Sequence, residues 1–114
     1  MVMKVKTSEL TGAALDWAVA KCGGWIKGDI THPKFCRLWR DQIRTPAAYP
    51  STDWAQGGPI IEKHITKLED LGDSWGAEGV GVPEHFGPTP LIAAMRCYVA
   101  SKLGDEVEVP EELL

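Results

Sequence analysis

The chain has 114 residues, a formal net charge of −4 and 44% apolar residues, proportions that suit one compact domain and exclude a chain disordered throughout or one of two domains. Its longest mainly apolar run, around residues 91–100, is far short of the roughly 20 residues needed to span a bilayer. The amino terminus MVMKVKTSEL carries charge where a signal peptide has an apolar core, so a cytoplasmic, non-membrane protein is expected.

Charge is unevenly spread. Asp105, Glu106, Glu108, Glu111 and Glu112 make the last ten residues strongly acidic, while Lys34, Arg37, Arg40 and Arg44 form a basic stretch. Such asymmetry suits an acidic tail meeting a basic patch, in cis or on a neighbour, although a solvated helix face is the commoner meaning of the stripe. It argues against nucleic acid as a partner, which would need an overall basic excess. Cys22, Cys36 and Cys97 form no CxxC and cannot all pair within one chain, so reduced thiols are expected.

In chain order, Met3, Val5 and Thr7 alternate with Lys4 and Lys6, predicting a short edge strand. Ser8 or Thr11 can cap a helix over residues 12–21 whose core side carries Ala14, Leu15, Ala18, Val19 and Cys22, stopped by Gly23-Gly24. Residues 25–30 suggest a short hairpin or loop. Over residues 33–44 two readings compete. A helix puts Phe35, Leu38, Trp39 and Ile43 on one face and the basic residues on the other, whereas a strand would mix charge with aromatics. Periodicity favours the helix. TPAAYP, residues 45–50, is a proline-bounded connector.

Ser51-Thr52-Asp53 offers a second N-cap cluster. The helix it starts would place Trp54, Gly57 and Ile61 together, but Gly58 and Pro59 predict a break or kink, and two short helical pieces are an open alternative. Residues 64–71 and 74–80 read as a β-hairpin around Leu71-Gly72-Asp73, and GVGVPEHFGP, residues 79–88, as a loop. Thr89-Pro90 is a helix start with a mechanism. The hydroxyl can accept from an orphan N–H, and proline fills the first position, where no N–H is needed. Gly104 ends that helix, after Lys102 in its last turn. Beyond it, Val107 and Val109 alternate with charge, giving a brief terminal strand or a docked tail.

The expected architecture is α+β: residues 1–104 form one domain, with a small antiparallel sheet packed against two to four helices and the long C-terminal helix central. Residues 105–114 follow as an acidic tail. One face of the last helix is bulky, with Leu91, Ile92, Met95, Tyr98, Val99 and Leu103. The opposite face is small rather than charged, with Ala93, Ala94, Cys97, Ala100 and Ser101. Small residues let another backbone approach closely, so this face is covered by the chain's own domain or by a second subunit. Ala93, Cys97 and Ala100 are the interface candidates, while Arg96 and Lys102 lie at the margins, where they can snorkel.

Signals for chemistry are few. Five of the nine aromatics are tryptophan, namely Trp17, Trp25, Trp39, Trp54 and Trp75; they could stack a base or sugar, but rings of this size more often fill the core of a small domain. His32 and Cys36 could share a metal on a helix, completed from His64, His85, Cys22 and Cys97, yet one loose pair is not the spacing of a zinc site. Ser51, Asp53 and His64 are the residue types of a nucleophile triad without a GxSxG elbow, and Ser51 and Asp53 are better explained as caps. Cys97 has apolar neighbours, which make a thiol inert. Gly57-Gly58 and Gly79-Val80-Gly81 match no phosphate-binding loop. No catalytic residue, metal or cofactor is expected.

Three blocks carry a family resemblance: SELTGAALDWAVAK, STDWAQGGPIIEK and GPTPLIAAMRCYVASKLGDEVEVPEELL. With these the chain resembles the NinX-like family of small phage and prophage proteins, and is similar to phage sandwich domains in which helices cover a small sheet. The resemblance implies a bacterial host cytoplasm and an accessory role, and supplies no catalytic residues. Asp16, Trp17, Ser51, Asp53, Trp54, Gln56, Gly57 and Gly58 lie in the recognisable blocks and are the candidate binding surface. The leading expectation is binding of a host or phage protein, or of a second copy as a homodimer. The runner-up is a nucleotide or metabolite site in which Trp54 stacks and residues 56–58 supply hydrogen bonds. An enzyme, needing Asp53 or His64 beside a second reactive group, comes third.

Overall fold

The computed structural model describes residues 2–24, Cys36, Trp39 and 48–114. The first strand, β1 (Val2–Lys6), passes through a 3-10 turn (Thr7–Glu9) into helix α1 (Gly12–Gly23). Helix α2 (Trp54–His64) leads to strands β2 (Lys67–Asp70), β3 (Trp75–Gly79) and β4 (Val82–Gly87). Helix α3 (Pro90–Leu103) and strand β5 (Glu106–Pro110) follow, with a final 3-10 turn (Glu111–Leu113). The fold is α+β with antiparallel sheets, as the periodicity predicts.

Two small sheets replace the single expected one. β1 pairs with β5, from Val2 opposite Pro110 to Lys6 opposite Glu106. β2, β3 and β4 form a meander, with a bulge between Ala77 and Gly79 where β3 meets β4. β4 is a correction, because residues 82–87 lie in the segment read as a loop. Pro83 and Gly87 suppress the strand pattern. Pro83 is tolerated because β4 is an edge strand, and the edge is where a missing N–H is least costly. In the carboxyl-terminal ten residues Val107, Val109, Pro110 and Leu113 are buried, and of the strand and the docked tail the strand is the one found.

Helix α3 is the central element, packed on the β3–β4 hairpin on one side and on α1 and α2 on another. Its ends are those expected. The Ile92 N–H donates to Thr89 Oγ1 at 3.1 Å, and Gly104 caps the other end with φ +88°. The small-residue face has a clear structural use. A Cβ on Gly87 would stand 2.7 Å from the Ala93 nitrogen and 3.1 Å from its Cα, and one on Gly79, which touches Cys97 Sγ at ordinary distance, would stand 2.9 Å from the His64 carbonyl oxygen. Glycines on the strands and small residues on the helix together allow backbone-to-backbone approach. Ala93 and Cys97 are fully buried within the chain itself, the own-domain alternative of the two; Ala100 is half-exposed.

Helix α2 is one helix with Pro59 inside it, not two pieces. Pro59 sits on the exposed side, as does Ala55, whose carbonyl is the one proline leaves without an N–H; water can meet it there. In the stretch read as either helix or strand, Cys36 and Trp39 are both helical and fully buried, and Trp39 Nε1 donates to the Ala13 carbonyl at 3.0 Å. The basic stripe, Trp25, His32 and the expected hairpin at 25–30 lie outside the described residues.

Two residues, Thr7 and Arg96, tie the sheets and helices into one body. Thr7, fully buried, donates its hydroxyl to the Gly104 carbonyl at 2.6 Å, and its N–H to the Asp105 carbonyl at 2.8 Å. Arg96 donates Nε to the Leu10 carbonyl at 2.8 Å and Nη1 to the Phe86 carbonyl at 2.7 Å, bridging the region after β1 to β4.

Candidate functional site

The candidate binding residues divide into a buried frame and an exposed rim. Asp16, only 2% exposed, accepts the Ser51 N–H at 2.8 Å through Oδ1, so α1 pins the loop that enters α2. Trp17, beside it in sequence, is core. Tyr49 then receives the chain three times. Its carbonyl accepts from the Thr52 and Asp53 N–H groups, and its own N–H donates to Gln56 Oε1 at 2.7 Å. Asp53 caps α2 by accepting from the Ala55 N–H at 3.0 Å, one of the orphan donors of a helix start.

Gly57 is buried where α2 crosses this loop and α3. A Cβ there would lie 2.5 Å from Leu91 Cδ2 and 2.6 Å from the Pro50 carbonyl oxygen, so glycine is required by packing. Gly58 is different: a Cβ there meets nothing within 4 Å among the described residues. Asp16, Ser51, Asp53, Gln56 and Gly57 are therefore brought together, and what the visible contacts accomplish is to hold the turn into α2.

Trp54 stands apart from this frame. As the first residue of α2 it is 54% exposed, whereas Trp17 and Trp39 are 1% exposed. It borders a cavity of about 240 Å³ shared with Ser51, Thr52 and the first turn of α3, Thr89 to Ile92. Leu91 and Ile92 give it apolar wall, and Ser51, Thr52 and Thr89 bring hydroxyls, of which Ser51 is buried and the two threonines exposed. The surface beside Trp54 is thus concave, but Gln56 and Gly57 do not supply free groups to it. Gln56 Oε1 holds Tyr49, and the Gln56 and Gly57 N–H groups both donate to the Asp53 carbonyl.

The remaining candidates are placed as follows. His64 packs against Tyr98 with ring centroids 4.8 Å apart and planes tilted by 43°, in a cavity of about 400 Å³ lined also by Lys63 and Tyr98 but not by Ser51 or Asp53. Burial pushes the Cys97 thiol up to about 11, with the nearby Glu78 adding to the effect. Cys22 is raised to about 11 by burial, against the opposing charges of Lys102 and Lys21. Among the described residues no three of His, Cys, Asp and Glu converge to hold a metal ion, and no helix is long and apolar enough to cross a membrane.

One cleft escaped the sequence reading. It measures about 740 Å³ and brings together Ser8, Asp73, His85, Arg96 and Asp105, from five separate segments of the chain. His85 drew notice only as a metal candidate.

The model of the bacteriophage P22 NinX family matches residues 6–102. The chain belongs to the phage NinX family. The match runs from the end of β1 to the last turn of α3, so the NinX region includes the Asp16–Ser51 frame, the Trp54 cavity and all but the last wall of the larger cleft. No curated protein matches the chain.

Proposed function

We propose that this NinX-family protein is a phage accessory protein that acts by binding rather than by catalysis, in the cytoplasm of the bacterial host. It docks a phage or host protein on the face formed by Trp54 and the amino-terminal turn of α3. The observation that carries this reading is an exposed tryptophan beside an apolar cavity of about 240 Å³. Ligand pockets for small molecules run about 300–1,000 Å³; this one is nearer to one inserted side chain. Tryptophan at the rim of such a depression is the kind of anchor that concentrates binding energy in protein interfaces.

Engagement of Gln56 and Gly57 within the frame weighs against a nucleotide at the same place, since the hydrogen bonds expected of them are already used. A photo-crosslinking residue in place of Thr52, introduced during phage infection, is expected to give a discrete adduct that the same residue at Val80 does not. Val80, 86% exposed at the β3–β4 turn, reports non-specific encounters. Equal adducts from both positions, or none from Thr52, would refute the docking face, and an adduct of twice the chain mass would assign it to self-association.

A further inference from the structure

We propose that the cleft between β4, the Thr7–Glu9 turn and the α3–β5 connection is a second binding site, for a small molecule carrying an ammonium and a carboxylate group, an amino-acid-like zwitterion. It is separate from the Trp54 face and does not depend on the docking proposal.

The space is of ligand size, at about 740 Å³, and an adjoining space of about 310 Å³ shares Ser8, His85 and Asp105 as its walls. His85 is 9% exposed and lines both. Its Nδ1 lies 2.8 Å from the Pro83 carbonyl oxygen. A carbonyl can only accept, so Nδ1 carries the proton and, in the neutral ring, Nε2 is left as an acceptor. No residue of the described chain satisfies Nε2, and no buried side-chain nitrogen or oxygen lacks a partner. Nε2 therefore opens into the cleft, where an ammonium or other donor can reach it.

Arg96 supplies the opposite polarity. Two of its five N–H groups are held by the Leu10 and Phe86 carbonyls, which fix the guanidinium and leave three for a ligand. Burial lowers its pKa, the signature of a charge short of compensation. Asp105 and Asp73 line the same cleft, yet neither forms an ion pair with Arg96, and the Asp105 carboxylate has no hydrogen bond among the described residues. Positive and negative groups thus share one space without pairing. A zwitterion satisfies both sets, its carboxylate on Arg96 and its ammonium between His85 Nε2 and Asp105. The types Ser8, His85 and Asp105 do not make a nucleophile triad, because the imidazole is oriented by Pro83 and not by the carboxylate.

The test is an amide NMR titration of the full chain with each free L-amino acid, with agmatine (cationic, without carboxylate) and acetate (carboxylate without amine) as controls. At least one amino acid is expected to give saturable shifts at His85, Phe86 and Asp105, with agmatine and acetate at least about tenfold weaker. Asp105→Asn keeps the carbonyl that Thr7 uses; it should retain a folded spectrum and weaken binding about tenfold or more. The proposal is overturned if no amino acid saturates the site, if either control binds as well as the best amino acid, or if folded Asp105→Asn binds unchanged.

Discussion

Gly57 and Gly58 are adjacent in the same helix, and the structure assigns them opposite responses to alanine. Both substitutions replace glycine by the best helix former, a gain of about 1 kcal/mol in a helix interior. At position 58 the new methyl meets nothing within 4 Å among the described residues, so Gly58→Ala should show that gain nearly undiminished. At position 57 the methyl falls 2.5 Å from Leu91 Cδ2 and 2.6 Å from the Pro50 carbonyl oxygen. Leucine can change rotamer at modest cost, but the Pro50 carbonyl is backbone held in the loop that Asp16 and Tyr49 organise. Overpacking of this kind costs about 1–3 kcal/mol. The propensity term cancels between the two variants, so Gly57→Ala should be less stable than Gly58→Ala by about 1–3 kcal/mol, a Tm difference on the order of 4–12 °C for a domain of this size. Chemical and thermal denaturation of the two proteins side by side reads this directly. A Gly57→Ala variant as stable as Gly58→Ala would refute the close approach of α2 to the Pro50 loop.

Three further outcomes follow from single contacts. Asp16→Ala leaves the Ser51 N–H without its 2.8 Å acceptor in a buried site and should cost about 1–3 kcal/mol in urea denaturation. Thr89→Ala removes the acceptor of the Ile92 N–H and should destabilise by about 1 kcal/mol, without altering the folded amide spectrum beyond the first turn of α3. The Cys22 and Cys97 thiols, each raised from 9.0 to about 11, favour the neutral form in the fold. Their contribution to stability is present below pH 9 and is lost as pH rises from about 9 to about 11; at pH 8 Cys97 should react with a thiol reagent only on unfolding. Rapid labelling of Cys97 in the native protein at pH 8 would contradict its burial.

Helix ends were legible because their causes are local. Thr89-Pro90, Asp53 and Gly104 act within a turn of their own position, and the structure puts all three where the sequence does. β4 was not legible, since Pro83 and Gly87 are turn residues by composition and join a strand only through pairing with β3 and packing against α3. The small face of α3 was visible, but its partner was not. The missing signal was complementary, because Gly87 on the hairpin is what lets the backbone at Ala93 come close, and nothing in the helix's own sequence names that glycine. The Ser51–Gly58 block stood out as a string, and most of it holds a turn in place; only exposure separates Trp54 from that role. The His85–Arg96–Asp105 cleft left no local trace, as its walls come together only when β4, α3 and the turn into β5 are folded.

The docking account is tested most directly by the affinity of the crosslinked partner, once purified, for the unmodified chain, for Trp54→Ala and for Phe86→Ala. Phe86 is 48% exposed on β4 and outside the Trp54 cavity, so it controls for loss of any exposed ring. Trp54→Ala should weaken calorimetric binding by about 30-fold or more, the scale of a hot-spot residue, with Phe86→Ala unchanged. Equal affinities for the unmodified chain and Trp54→Ala would contradict the account.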